Sequence, residues 1–77
     1  MNFDLAIMAL DGLTRTPIEI RVDEKGVTIG GPGAGLKELA RLLLLVSGES
    51  GGEQVGLQPG VHTTAGSMPL TISTQLS

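Results

Sequence analysis

A leucine-rich segment of helical length, Gly35–Ser47, is the feature that most constrains the fold of this chain. Its apolar residues recur at a spacing that places a hydrophobic stripe along one side of an α-helix. Strand-like stretches lie on both sides of it, since Pro17–Val22 and Met68–Leu76 each alternate apolar and polar residues. The pattern predicts a small α+β domain with a mainly antiparallel β-sheet and one amphipathic helix packed on one face of the sheet.

The predicted order of elements is β-β-β-α-β-β. Phe3–Leu10 is an apolar run that predicts a first strand, which ends at Asp11-Gly12. A hairpin follows, because the polar turn Asp23–Gly26 separates two alternating stretches. The glycine-rich stretch Gly30–Gly35 then leads into the helix, which Ser47-Gly48 ends. Strand-like segments after the helix are Gln54–Leu57, Val61–Thr64 and Met68–Leu76.

Length and cysteine content limit how the fold is stabilised. The 77 residues predict a single domain over residues 1–77, and a chain this short buries only about 60% of the surface that its unfolded form exposes. It has no cysteine, so neither a disulfide nor a thiolate metal site stabilises it, and a reducing compartment is compatible. A homodimer or higher oligomer is therefore expected.

Charge and hydropathy indicate the kind of partner. Five basic and eight acidic residues give a formal net charge of −3, which disfavours direct nucleic-acid binding and favours a basic protein partner. The amino terminus lacks the positive region of a secretory signal. The apolar stretch Leu42–Val46 is far below the roughly 20 residues needed to cross a bilayer. The expected location is the cytoplasm, without membrane binding.

A helical wheel divides the leucine-rich segment into two faces. One face is predicted to cover the sheet and consists of Leu36, Leu39, Ala40, Leu43 and Val46. Leu45 falls on the opposite, charged side, where a leucine facing water indicates a contact with a second molecule. Carboxylates in the following loop could add electrostatic contacts with a basic partner. The predicted partner-binding residues are Leu42, Leu44, Leu45, Arg41, Glu49 and Glu53.

A small-ligand site is the alternative. It would use the glycine-rich loop at Gly33 and Gly35 together with His62, Thr63 and Thr64. The loop departs from both phosphate-binding motifs, since Leu36 stands where the third glycine of G-x-G-x-x-G and the P-loop lysine belong. Glycines that serve a tight strand-to-helix connection are the simpler interpretation.

Catalytic and metal chemistry find little support in the residues. His62 is the only histidine, and it could act as a general base or a switch, although a structural or interface histidine is the favoured interpretation. A domain this small has little room for an active-site cleft, and the carboxylates are scattered. We therefore predict no enzyme, no catalytic residues, no metal site and no cofactor.

The order of apolar and glycine positions over about residues 18–72 resembles the immunity protein 32 family, small proteins encoded beside toxins in bacterial polymorphic-toxin systems. The most distinctive match is a Gly-Ser pair followed by an alternating strand. Thr64 stands where family members tend to carry a second histidine, and Phe3–Leu10 lies outside the match. The matching motifs are Ile18-x-Ile20-x-Val22, Gly26-Val27-Thr28-Ile29-x-Gly31, Gly35-Leu36-x-x-Leu39-Ala40-x-x-Leu43, Gly60-x-His62 and Gly66-Ser67-x-x-Leu70-x-Ile72.

The resemblance implies an immunity or antitoxin-type inhibitor that neutralises a cognate bacterial toxin by direct binding. The alternative function is a phage-encoded anti-defence protein that binds or sequesters a nucleotide signal or a defence complex. The sequence identifies neither the toxin nor the ligand.

Overall fold

The computed structural model describes residues 3–48 and 53–75. Helix α1 spans Phe3–Arg15 and helix α2 spans Gly33–Ser47. The four strands are β1 (Glu19–Asp23), β2 (Gly26–Gly30), β3 (Gln54–Leu57) and β4 (Leu70–Ser73). The small α+β architecture with antiparallel strand pairing is confirmed. The predicted order and the single sheet with one helix are wrong for this part of the chain, which has the order α-β-β-α-β-β and two separate two-stranded sheets.

The amino-terminal segment forms a helix where the sequence analysis predicted a strand. The buried residues of α1 are Ala6, Ala9, Gly12 and Leu13, which follow a helical spacing. The strand prediction treated Asp11-Gly12 as a turn and so considered too short a window to detect that spacing. In the structure Asp11 lies on the exposed side, where its carboxylate contacts Arg15 at 3.3 Å one turn later.

Helix α2 buries a face that only partly overlaps the predicted one, since Leu39 and Val46 are shared. Its buried residues are Gly35, Leu39, Leu42 and Val46, whereas Leu36 and Leu43 are exposed. The buried stripe is rotated because α2 packs mainly on α1 and makes only limited contact with β4. A Cβ at Gly35 would overlap the carbonyl oxygen of Thr16, so this glycine lets α2 lie directly on the connection after α1.

The first hairpin matches the prediction. Strands β1 and β2 pair antiparallel, with Ile20 opposite Ile29 and Val22 opposite Val27. These four side chains share one face of the hairpin. Gly26 closes the turn with φ +134°, a conformation that favours glycine.

Strands β3 and β4 form the second sheet, with Val55 opposite Ile72 and Leu57 opposite Leu70. The end of β4 is fixed to α2, because Thr74 donates a hydrogen bond from Oγ1 to the carbonyl oxygen of Val46 at 2.8 Å. Residues 61–64, predicted as a short strand, instead form a turn with an isolated bridge at Thr63.

The hydrophobic core lies where the two helices meet β3 and the start of β1. Its buried members are Ala6, Ala9, Leu13, Ile18, Leu39, Leu42 and Leu57. Leu10, Leu45, Val55, Leu70 and Ile72 pack against it and are partly buried. The core is aliphatic throughout. Neither described helix has the length and apolar character needed to cross a membrane.

Candidate functional site

A groove of about 300 Å³ runs between α1 and α2. Leu5 and Met8 of α1 form one wall and Leu44 of α2 forms the other, with Ala9 and Leu45 also lining it. Met8 and Leu44 remain 64% and 72% exposed. Its volume is at the lower end of the range typical of ligand sites. The groove offers apolar surface that the chain's own described residues leave open to solvent.

An ion pair supplies the polar part of the groove. Nη1 of Arg41 donates to Oε1 of Glu38 at 3.0 Å, and both residues line the groove. The side chain of Glu38 is only 18% exposed, whereas that of Arg41 is 67% exposed. A Cβ on Gly12 would lie 2.7 Å from Cδ of Glu38, so the carboxylate side chain fills the space that glycine leaves on α1. The pair therefore presents mainly the guanidinium of Arg41 to solvent.

The structure brings together three of the predicted partner-binding residues. Arg41, Leu44 and Leu45 all line the groove. Leu45 is half-buried and packs against the core, because α1 covers the side of α2 that the helical wheel predicts to face solvent. The prediction that the Leu45 side chain faces water is therefore wrong.

The other three predicted partner-binding residues lie elsewhere. Leu42 is fully buried in the core, so its place in a surface contact is wrong. Glu53 is half-buried before β3, and its carbonyl oxygen accepts a hydrogen bond from the Thr74 amide at 2.9 Å. Glu49 lies outside the described residues.

Sequence reasoning missed the α1 side of the groove. Leu5, Met8 and Ala9 recur at intervals of three and four residues, which is the helical signal for one face. Within an apolar run of eight residues, however, three such positions do not distinguish a helix from a strand. Glu38 lies on the charged side of the helical wheel, and only the packing of α1 shows that its side chain lies against Gly12.

The two glycines of the predicted small-ligand site have different surroundings. Gly33 is exposed at the start of α2, and a Cβ there would meet no described atom within 4 Å. Gly35 is buried against Thr16 and Ile18, and this contact occupies the space that a ligand would need. Gly35 therefore serves helix packing.

The His62–Thr64 segment is held within a turn that begins at Gln58. Nδ1 of His62 accepts a hydrogen bond from the Gln58 amide at 3.2 Å. Thr63 is buried, and its Oγ1 has no hydrogen-bond partner within the part of the chain that the structure describes. The Thr64 amide donates to the carbonyl oxygen of Ile18 at 2.9 Å. These contacts attach the turn to β1, and none of the three residues lines the α1–α2 groove.

Metal binding lacks a cluster of ligand side chains in the described ranges. No group of three or more histidine and acidic residues there is arranged to hold a metal ion. Asp11, Glu19 and Glu38 form local ion pairs, such as that of Glu19 with Arg21 at 2.8 Å. The groove is consequently suited to apolar contact.

In comparisons with known proteins, no family model, curated protein or solved structure matches this chain. The resemblance to the immunity protein 32 family stays a prediction.

Proposed function

We propose that this chain is a non-enzymatic binding protein that inhibits a partner protein by accepting an amphipathic helix of that partner in the α1–α2 groove. The observation that carries the proposal is the exposure of Leu5, Met8 and Leu44 along a groove between two packed helices. Helix-in-groove recognition requires such a surface, because it buries the apolar face of the incoming helix.

The groove chemistry favours a protein segment over a nucleotide. Most of its described lining residues are apolar, and the one cation among them, Arg41, already contacts Glu38. A nucleotide needs several donors for its phosphates, commonly from a helix N-terminus or an arginine cluster. The alternative of a nucleotide-binding anti-defence protein therefore lacks a matching site in the described residues.

The partner segment is expected to carry large apolar residues at intervals of three, four and seven, which is the spacing of one helix face. Basic residues are expected at its flanks, because the net charge of −3 attracts a positively charged surface. A cognate toxin in the cytoplasm, neutralised by direct binding, is the biological role that agrees with the sequence resemblance.

Two adjacent residues of α1 provide a matched test. Met8 and Ile7 are 64% and 62% exposed, but only Met8 lines the groove. The chain is co-expressed with the protein encoded by the gene next to its own, and the affinity of the two proteins for each other is measured by calorimetry. Met8→Lys is expected to weaken binding at least tenfold, about 1.4 kcal/mol, because it places a charge in a desolvated contact. Ile7→Lys is expected to change affinity less than threefold.

Circular dichroism of both variants serves as the folding control. Equal affinity of the two variants would reject the groove as the binding site. Failure of the adjacent gene product to bind or to be inhibited by the native chain would reject the toxin-neutralising role.

A further inference from the structure

Strand β2 forms an open sheet edge, since it pairs only with β1 among the described strands. The direction of the N–H and C=O groups of β2 follows from the hydrogen bonds of Ile20 on the neighbouring strand β1. The Ile20 amide donates to Oγ of Ser67 at 3.1 Å, and its carbonyl oxygen accepts from the Met68 amide at 3.0 Å. Ile20 therefore turns both groups away from β2.

Antiparallel pairing extends this arrangement along the hairpin. Residues directly opposite each other either both bond across the pair or both point outward, and the two kinds alternate. Ile29 lies opposite Ile20 and Val27 lies opposite Val22. Val27 and Ile29 consequently direct their N–H and C=O groups to the open edge.

This edge lacks the features that usually prevent pairing with another strand. Natural edge strands are commonly protected by charged residues, proline or a bulge. Strand β2, Gly26–Gly30, contains no charge and no proline, and its register with β1 is continuous. Val27 and Ile29 are also 65% and 44% exposed. The edge is both unpaired and apolar on one face.

We propose that two copies of the chain associate by antiparallel pairing of their β2 strands about a two-fold axis at Thr28. In this register Val27 faces Ile29 of the second copy, and both residues carry outward backbone groups. Thr28 then faces Thr28 of the second copy in a non-hydrogen-bonded position. The strand is thus self-complementary, as an isologous dimer interface requires.

Charge and shape favour a second copy of the chain as the partner of the β2 edge. In this register the charged turn residues Asp23, Glu24 and Lys25 lie opposite residues 31–33 of the other copy, which are Gly-Pro-Gly. No like charges face each other across the pair. The same pairing places Val27 of one copy beside Ile29 of the other. Within each hairpin, Val22 lies opposite Val27 and the buried Ile20 lies opposite Ile29, so these apolar side chains share one face of the dimer sheet.

A single cysteine at the two-fold axis tests the register. The native chain has no cysteine, so Thr28→Cys yields one unambiguous crosslink. Facing Cα atoms in a non-hydrogen-bonded antiparallel pair are about 4.5 Å apart, which a disulfide can span. Thr28→Cys is expected to form a covalent dimer under mild oxidation. The matched control is Thr71→Cys on β4, which is exposed on the other two-stranded sheet and is expected to crosslink far more slowly.

A proline substitution tests the backbone pairing itself. Val27→Pro removes an N–H that points to the open edge and leaves the β1–β2 bonds in place. Light scattering should give twice the 7.9 kDa chain mass for the native chain and for Val27→Ile, and one chain mass for Val27→Pro.

Three results would overturn the proposal. The first is a native mass of one chain throughout a dilution series, which would leave the edge to a strand of another protein. The second is a Val27→Pro variant that keeps native circular dichroism and stays dimeric. The third is crosslinking of Thr71→Cys as fast as that of Thr28→Cys.

Discussion

Gly12 of α1 lies directly against the side chain of Glu38 of α2, and a Cβ on Gly12 would stand 2.7 Å from both Cγ and Cδ of Glu38. The contact brings the helices close together beside the groove and positions the carboxylate that pairs with Arg41 at 3.0 Å. A glycine inside a helix normally costs about 1 kcal/mol relative to alanine. Here the close helix contact offsets that cost.

This relationship predicts a coupling between the two positions. Gly12→Ala gains helix propensity but displaces the flexible end of the Glu38 side chain, so the two effects oppose each other and we expect the free energy of unfolding to change by less than about 0.5 kcal/mol in the native background. In a Glu38→Ala background the same substitution should raise it by about 0.5–1 kcal/mol. A double-mutant cycle measured by urea denaturation checks that the gain is larger in the Glu38→Ala background. The absence of coupling would contradict the contact.

Gly35 and Gly33 predict opposite effects of the same substitution. A Cβ at Gly35 would meet the Thr16 backbone and Cγ2 of Ile18, neither of which can move freely. Gly35→Ala should therefore lower the free energy of unfolding by about 2 kcal/mol. Gly33→Ala meets no described atom within 4 Å and should leave stability unchanged or raise it by about 0.5 kcal/mol. Equal effects in thermal unfolding would show that α2 is not held against Thr16.

Ser67 anchors the 58–68 segment to β1. Its Oγ accepts the buried hydrogen bond from the Ile20 amide, and Ser67→Ala leaves that N–H without its acceptor. The expected loss is about 1–3 kcal/mol in the free energy of unfolding. Ser73→Ala on the exposed side of β4 is the control and should stay within about 0.5 kcal/mol of the native chain. A Ser67→Ala chain of native stability would argue against this attachment.

Valine substitutions at the adjacent residues Thr63 and Thr64 are expected to change the free energy of unfolding in opposite directions. Oγ1 of Thr63 is buried without a hydrogen-bond partner in the described chain, so Thr63→Val should raise the free energy of unfolding by about 1 kcal/mol. Oγ1 of Thr64 lies 2.9 Å from Oγ of Ser67, and Thr64→Val should lower it by about 1 kcal/mol. Chemical denaturation of both variants checks this order. A destabilised Thr63→Val chain would indicate that its hydroxyl finds a partner in solution.

Local sequence patterns determined the hairpin, the strands β3 and β4, and the carboxyl-terminal end of α2. Alternation over residues 18–29 and the turn at Asp23–Gly26 specify β1 and β2, because side chains of a strand alternate between two faces. Gly48 follows the last residue of α2, where its amide bonds the Leu45 carbonyl oxygen at 3.3 Å. These features depend on residues that are neighbours in the chain.

Only the tertiary structure decided which side of α2 is buried, where Leu45 lies and how the groove is built. The helical pattern of α2 allows more than one buried face, since leucines surround much of it. Gly12 and Gly35 select the observed face, because a missing Cβ at each position lets one element approach another closely. Such an approach depends on residues distant in sequence, and periodicity within one segment carries no information about it.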